Sequence, residues 1–107
     1  MLASTFRLRK QDVERVYKKG RSFREDFLVA RFLGNNLEHC RFAVVIPKKA
    51  APKATQRTRL KRKTFTLLGE IMKVQKIGNF DIILSYKQLP KENDINPLLV
   101  RILVRVK

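Results

Sequence analysis

With 107 residues, the chain has room for a modest hydrophobic core, and a single domain over residues 1–107 is expected. Lys and Arg number 25 against 9 Asp and Glu, which gives a net charge of +16 at pH 7. Charge of this size predicts a polyanionic partner, and a nucleic acid is favoured over an anionic membrane surface because no apolar run is long enough to span a bilayer. The N-terminus also lacks an apolar signal core, so a cytoplasmic location is expected.

The single cysteine, Cys40, excludes an internal disulfide and a zinc site built from several cysteines. Its expected role is that of a small buried residue at the start of a strand. One histidine and a few scattered acids provide no cluster for acid–base or metal chemistry. No catalytic residue and no metal ligand is therefore predicted.

The first predicted element is an amphipathic helix over residues 11–19. Val13, Val16 and Tyr17 recur at the i, i+3 and i+4 spacing of one helix face, and Gly20 follows the last turn. A β-hairpin is predicted next, with strands at residues 27–33 (FLVARFL) and 41–46 (RFAVVI) and a turn at residues 34–36. The second strand is apolar on both faces, which predicts a central place in the sheet, and a proline ends its pairing.

A strand–helix–strand unit follows. A basic loop over residues 48–55 leads into a long helix over residues 56–76, and residues 80–86 (FDIILSY) form another buried strand. Because such a crossover connects parallel strands, the 41–46 and 80–86 strands are predicted to lie parallel in one sheet.

The C-terminal segment has two interpretations. Pro90 marks a linker, and Asp94 or Asn96 would cap a final helix with Pro97 in its first turn. The apolar residues of this helical stripe are Leu98, Leu99, Ile102, Leu103 and Val106. The valines of the segment also suit a strand, so helix and strand both remain open.

The strongest functional signal is the segment 48–63, which contains eight Lys or Arg residues and no acid. This composition is typical of a nucleic-acid surface, and a solvated helix face is the alternative. On a helical wheel, the apolar side holds Leu60, Leu67, Leu68, Ile71 and Met72, and the basic side holds Arg59, Arg62, Lys63 and Lys73. Arg57 and Lys61 fall in line with the apolar side, where an unpaired cation is costly to bury. The helix is therefore predicted to begin beyond the sheet edge and to bind phosphates there.

Aromatic residues are interleaved with this charge. Phe23, Phe27, Phe32 and Phe42 fall on or beside predicted strands, and Tyr17 falls on the first helix. Exposed aromatics on a basic sheet can stack unpaired bases. For most of the phenylalanines burial in the core is favoured, because a small domain has few other bulky residues. Tyr17 is the better candidate for a base contact.

Two motifs together resemble the signature of the ribonuclease P protein family. Residues 46–49 (IPKK) precede residues 57–62 (RTRLKR) by a seven-residue spacer, as in the family, where a strand ends in Lys-Lys and a helix opens with Arg-Asn-Arg-x-Lys-Arg. Residues 8–10 (LRK) and the helix after them resemble the family's first helix. The order of elements is similar along nearly the whole chain.

The resemblance implies an α+β fold, a single-domain α/β sandwich of the ribosomal protein S5 domain 2-like type with a left-handed crossover, against the usual right-handed rule. It implies a subunit that assists the catalytic RNA of ribonuclease P in removing the 5′ leader from precursor tRNA. The Arg-rich helix would contact the catalytic RNA, and a cleft between the sheet and the first helix would hold the single-stranded leader. Cleavage would belong to the RNA and its Mg²⁺ ions, with no cofactor bound by the protein alone and a monomeric protein in the complex.

The basic segment and the resemblance together predict two sets of site residues. The RNA-binding set is Lys48, Lys49, Lys53, Arg57, Thr58, Arg59, Lys61, Arg62 and Lys63. The leader-cleft set is Arg9, Val13, Tyr17 and Phe27. Three positions depart from the family pattern: Thr58 replaces Asn, Phe65 replaces a frequent Arg, and Val13 replaces a frequent aromatic of the cleft.

Two other functions compete with this assignment. A structural protein of the ribosome or a general RNA chaperone would have a similar composition. A self-sufficient nuclease is disfavoured, because no set of general acid, base and metal ligands is visible.

Overall fold

The computed structural model describes residues 6–37, 39–75, 78–90 and 95–106. The helices in this part of the chain are α1 (Lys10–Lys19), α2 (Ala54–Val74) and α3 (Ile95–Val106). The strands are β1 (Arg21–Glu25), β2 (Leu28–Gly34), β3 (Arg41–Val45) and β4 (Phe80–Tyr86). They form one sheet in the order β1-β2-β4-β3, in which β3 and β4 are parallel and the other pairs are antiparallel. The predicted α+β class and the parallel β3–β4 pair are confirmed, and the left-handed sense of the crossover stays a prediction.

The predicted hairpin is wrong, because β4 lies between β2 and β3. The hairpin of this chain is instead β1–β2, in which Glu25 pairs with Leu28 across a two-residue turn. Asp26 adopts a φ of 53° there, the left-handed conformation that tight two-residue turns require. The pattern did not predict β1, because its sequence RSFRE holds a single apolar residue and forms an exposed edge strand.

The strand β3 was predicted to be central, but it lies at the edge of the sheet. Apolar side chains on both faces of a strand show that both faces are covered, and they do not show how many strands flank it. Part of the outer edge of β3 is covered by the N-terminal segment. The Leu8 N–H donates to the Phe42 carbonyl at 2.8 Å, and Arg7 forms a parallel bridge to Phe42.

The two faces of the sheet carry different helices. On one face, the Tyr86 hydroxyl lies 2.7 Å from the Thr64 hydroxyl of α2, and Arg105 of α3 lies over the Phe23 ring. We call this the α2/α3 face. On the other face α1 lies across β2 and β4 and buries Val16. Because side chains alternate along a strand, Asp81 and Ile83 of β4 belong to this α1 face.

The helix α2 begins at Ala54, two residues before the predicted start. Its buried side chains are Leu60, Thr64, Phe65, Leu68 and Ile71. The predicted apolar side is confirmed, and Thr64 and Phe65 extend it. The Thr64 hydroxyl is accommodated because it donates to the Leu60 carbonyl at 2.7 Å and pairs with Tyr86. Burial raises the pKa of Tyr86 to about 12, although the hydrogen bond with Thr64 opposes this shift.

The C-terminal segment is a helix, so the strand interpretation is excluded. All five residues of the predicted stripe are buried, together with Ile95. Pro97 lies in the first turn as predicted, Asn96 lies inside the helix and is not its cap, and Asp94 falls outside the described residues. Within the described ranges, no helix is both long and apolar enough to cross a membrane.

Cys40 has the predicted role of a small core residue. It is buried immediately before β3, and its thiol donates to the Gly78 carbonyl at 3.0 Å. Burial raises the pKa of this thiol above its ordinary value. The protonated form of Cys40 is therefore favoured.

Candidate nucleic-acid interface

The basic loop that precedes α2 contains a tight turn. The Pro47 carbonyl accepts the N–H groups of Ala50 and Ala51 at 3.0 and 3.1 Å, and the Ala51 side chain is buried. The three predicted lysines of this loop, Lys48, Lys49 and Lys53, are exposed. The loop therefore packs through an alanine and leaves its ammonium groups in solvent.

Arg57 links the loop to the helix. Its Nη1 donates to the carbonyls of Ala51 and Pro52 at 2.9 and 3.0 Å. Carbonyl partners explain how this cation is half-buried on the apolar side of the wheel. Arg57 thus stabilises the shape of the loop, which is a role that sequence analysis missed. Lys61 is exposed.

The outer side of the first α2 turns is exposed and cationic. Thr58, Arg59 and Arg62 line a shallow cavity of about 440 Å³ together with Ala54 and Thr55. The first turn holds no acid, so no carboxylate within it offsets the positive end of the helix. We call the following set the α2 basic surface: Lys48, Lys49, Lys53, Thr58, Arg59, Lys61, Arg62 and Lys63. Such a surface suits phosphate oxygens.

Three of the four predicted cleft residues lie along one side of the α1 segment. Arg9 immediately precedes the helix, and Val13 and Tyr17 follow at four-residue intervals, which places them on one helical strip. Tyr17 is 44% exposed. The Arg31 guanidinium of β2 lies over the Tyr17 ring, 4.9 Å from its centroid. We call Arg9, Val13, Tyr17 and Arg31 the α1 cleft, after the role predicted for the first three, and Arg31 was not predicted.

Phe27 does not belong to this cleft. It lies in the β1–β2 turn and is 4% exposed. Its ring stacks on Tyr86, with centroids 6.0 Å apart, and the Tyr86 hydroxyl reaches α2. The structure therefore places Phe27 in the core of the α2/α3 face, across the sheet from Tyr17. Burial of Phe27 and Phe42 agrees with the expectation that most phenylalanines serve the core.

A buried carboxylate anchors α1 to the sheet, and sequence analysis missed it. Asp81 is 0% exposed and accepts hydrogen bonds from Arg41 Nε and Nη2 at 2.9 and 2.8 Å. It also accepts from Asn35 Nδ2 at 2.8 Å and from Arg15 Nη2 at 2.9 Å. Arg41 Nη1 in turn donates to Asp12 of α1 at 3.0 Å. The helix that forms the α1 cleft is thus fixed by two of its own residues, Asp12 and Arg15.

The charge state of Asp81 follows from these contacts. Burial opposes ionisation, but the hydrogen bonds from Arg41 and Asn35, the charge of Arg41 and the hydrogen bond from Arg15 outweigh it, so the pKa of Asp81 is lowered. The sequence did contain a signal for this anchor, which is the single acid inside the apolar strand FDIILSY. A buried acid needs cationic partners, so its position predicts a buried ion pair.

The three departures from the family pattern have different surroundings. Thr58 is exposed on the α2 basic surface, and Val13 is half-buried on α1. Phe65 is buried in the core, and the Arg7 guanidinium lies 4.7 Å from its ring centroid. In this chain, position 65 therefore does not face solvent.

Comparisons with known proteins agree on one family. The family model described as Ribonuclease P matches residues 2–103. The ribonuclease P protein component of Synechocystis is 35% identical over 85 residues, which cover 78% of this chain and 68% of that protein. The structure of the RNase P protein from Thermotoga maritima superposes with a TM-score of 0.83 at 25% identity, covering 94% of this chain and 97% of that one. The Staphylococcus aureus RNase P protein superposes with a TM-score of 0.81 at 25% identity and 95% coverage of each chain.

Proposed function

Since the chain belongs to the ribonuclease P protein family, we propose that it is the non-catalytic subunit that assists the catalytic RNA in removing the 5′ leader of precursor tRNA. The observation that carries the proposal is the presence of two separate cationic sites. The α2 basic surface lies on a helix of the α2/α3 face, and the α1 cleft lies on the opposite face of the sheet. Two sites suit a protein that holds two RNAs at once.

The α2 basic surface is proposed to bind the catalytic RNA. Exposed Arg and Lys side chains and an unneutralised helix start bind phosphates without regard to sequence. The affinity should therefore fall steeply with salt, because each phosphate contact releases counterions.

The α1 cleft is proposed to hold the single-stranded leader. Tyr17 presents a half-exposed ring with Arg31 against it, and unpaired bases stack on such groups. The Asp81 anchor fixes the position of the helix that carries the ring. A leader bound here would increase the affinity for a precursor over that for a mature tRNA.

The protein contributes charge and position, and the bond cleavage is left to the RNA. The net charge of +16 lowers the repulsion between the catalytic RNA and its substrate. Mg²⁺ ions bound by the RNA serve the same purpose, so the protein should matter most when Mg²⁺ is scarce.

The test is cleavage of a 5′-extended precursor tRNA by a bacterial ribonuclease P RNA at low Mg²⁺, with and without this protein. Stimulated cleavage at the mature 5′ end is the expected result. Tight RNA binding without stimulation would favour a ribosomal or chaperone role. A cleavage activity that co-purifies with the protein in the absence of RNA would instead indicate a nuclease.

A further inference from the structure

A second cavity lies beside the α2 basic surface, where α2 meets the β4–α3 connection and the start of α3. Its volume is about 310 Å³, at the lower end of the range for small-ligand pockets. The apolar residues that line it are Leu60, Leu89, Pro90 and Ile95, and the cationic ones are Arg59 and Lys63. An apolar floor with cations at its rim suits a flat, uncharged group attached to an anion.

Arg59 connects this cavity to the shallow one on the outer side of α2. It lines both of them, the inner cavity with Leu60 and Leu89 and the outer one with Thr58 and Arg62. A phosphate held by Arg59 would therefore lie at the entrance to the apolar cavity.

The exposure of Leu89 is a second observation that indicates an occupant of the cavity. Leu89 is a large apolar side chain at the rim of a cationic site, yet it is 46% exposed. Paired bases of a duplex would present only phosphates and sugars to this surface, and those gain little from an apolar floor. An unpaired base that is splayed out of a loop or bulge would cover Leu89 and Pro90.

We propose that the cavity lined by Leu60, Leu89, Pro90 and Ile95 receives one unpaired nucleotide of the catalytic RNA, with its phosphate at Arg59. This inference rests on the proposed function and adds a recognition element to it. Phosphate contacts alone would position the helix on the RNA without distinguishing one base from another. A base in the cavity would add a contact that an unpaired nucleotide makes and a paired one does not.

The experiment measures the Kd of a bacterial ribonuclease P RNA for four variants across a series of salt concentrations. Leu89→Ser removes the apolar rim, and Leu89→Met preserves it. Val104→Ser is the matched control, because Val104 is 53% exposed on α3 and lines neither cavity. Arg59→Gln tests the phosphate contact. Thermal unfolding of each variant checks that the fold is retained.

The expected result is a Kd raised about fivefold by Leu89→Ser, since part of an apolar contact is lost. Its salt slope should match that of the wild type, because no charge is removed, whereas Arg59→Gln should flatten the slope. Leu89→Met and Val104→Ser should bind as the wild type does.

Three outcomes would overturn the proposal, and they differ in what else they overturn. If Leu89→Ser binds normally while Arg59→Gln weakens binding and flattens the slope, the cavity is not used and the function proposed for α2 stands. If neither variant changes the binding, the RNA-binding role of this part of α2 fails as well. Equal weakening by Leu89→Ser and Val104→Ser would show a general surface effect and would also overturn the proposal.

Discussion

The α2 basic surface and the α1 cleft are built in different ways. The first consists of side chains from one loop and the adjoining helix turns, so it is nearly continuous along the chain. The second depends on residues from α1, β2, β3 and β4, and Arg15 and Asp81 are 66 positions apart. A site of the first kind should lose affinity gradually as charges are removed. A site of the second kind should fail together with the packing that assembles it.

The largest expected effect comes from Asp81→Asn. The substitution keeps the shape of the side chain but removes the charge that Arg15 and Arg41 share. Breaking a buried ion pair from one side costs about 3 kcal/mol of unfolding free energy. Urea denaturation should show this loss, and binding of a leader-bearing precursor should weaken with it.

The control for Asp81→Asn is Glu25→Gln. Glu25 pairs with Arg105 at 3.2 Å, but their side chains are 29% and 55% exposed. A surface pair of this kind contributes less than about 1 kcal/mol. If the two variants unfold at the same urea concentration, Asp81 is not the anchor of α1.

The two sites also differ in how far the sequence predicts them. The α2 basic surface follows from spacing and charge within residues 48–63, because a helix converts spacing directly into position. The α1 cleft depends on the partners of Asp81, and no local sequence pattern indicates which of the 25 Lys and Arg residues those partners are. Its ring, Tyr17, was predicted, whereas Arg31 and the Asp81 anchor were not.

Strand order was missed for the same reason. The lengths and types of β2, β3 and β4 follow from their apolar runs. The insertion of β4 between β2 and β3 depends on contacts between distant parts of the chain, so the predicted β2–β3 hairpin was wrong. Phe27 shows the consequence for a site residue. Its aromatic side chain suited a cleft, but its position in the β1–β2 turn directs it to Tyr86.

The next largest effect should follow from the double variant Arg59→Gln/Arg62→Gln. Both side chains are exposed, so unfolding by urea should be unchanged. Loss of two phosphate contacts should flatten the log–log salt slope by about 1.4 to 1.8 and raise the Kd for the catalytic RNA roughly twentyfold near 0.15 M salt.

Arg101→Gln is the matched control for the double variant, because Arg101 is an exposed cation on α3 that lies outside the α2 basic surface. Arg101→Gln should change the salt slope much less than the double variant does. If each removed charge flattened the slope equally in the two proteins, overall charge, and not the α2 basic surface, would determine the affinity.

A smaller effect is expected from Tyr17→Ala. Loss of one stacking partner weakens binding of an unpaired base by about 1 kcal/mol, or roughly fivefold in Kd. The loss should appear for a precursor tRNA with a leader and be absent for the mature tRNA. Tyr17→Phe keeps the ring over which Arg31 lies and should bind as the wild type does. An equal loss for both tRNAs would place Tyr17 outside the leader site.

The smallest effect is confined to acid solution and concerns the charge of Asp81. Its pKa is lower in the folded protein than in the unfolded chain, so the unfolded state binds more protons as the pH falls. The stabilisation by Asp81 is therefore complete above the unfolded pKa of about 3.9. It is lost as the pH drops through the folded pKa.

The difference in urea midpoint between wild type and Asp81→Asn should be constant from pH 5 to 7, within about 0.2 M, and should narrow below about pH 4. Asp12 also contacts Arg41, but it is present in both proteins, so the difference between them isolates Asp81. A difference that stays constant down to the most acidic pH would show that the ionised carboxylate does not hold α1 in place.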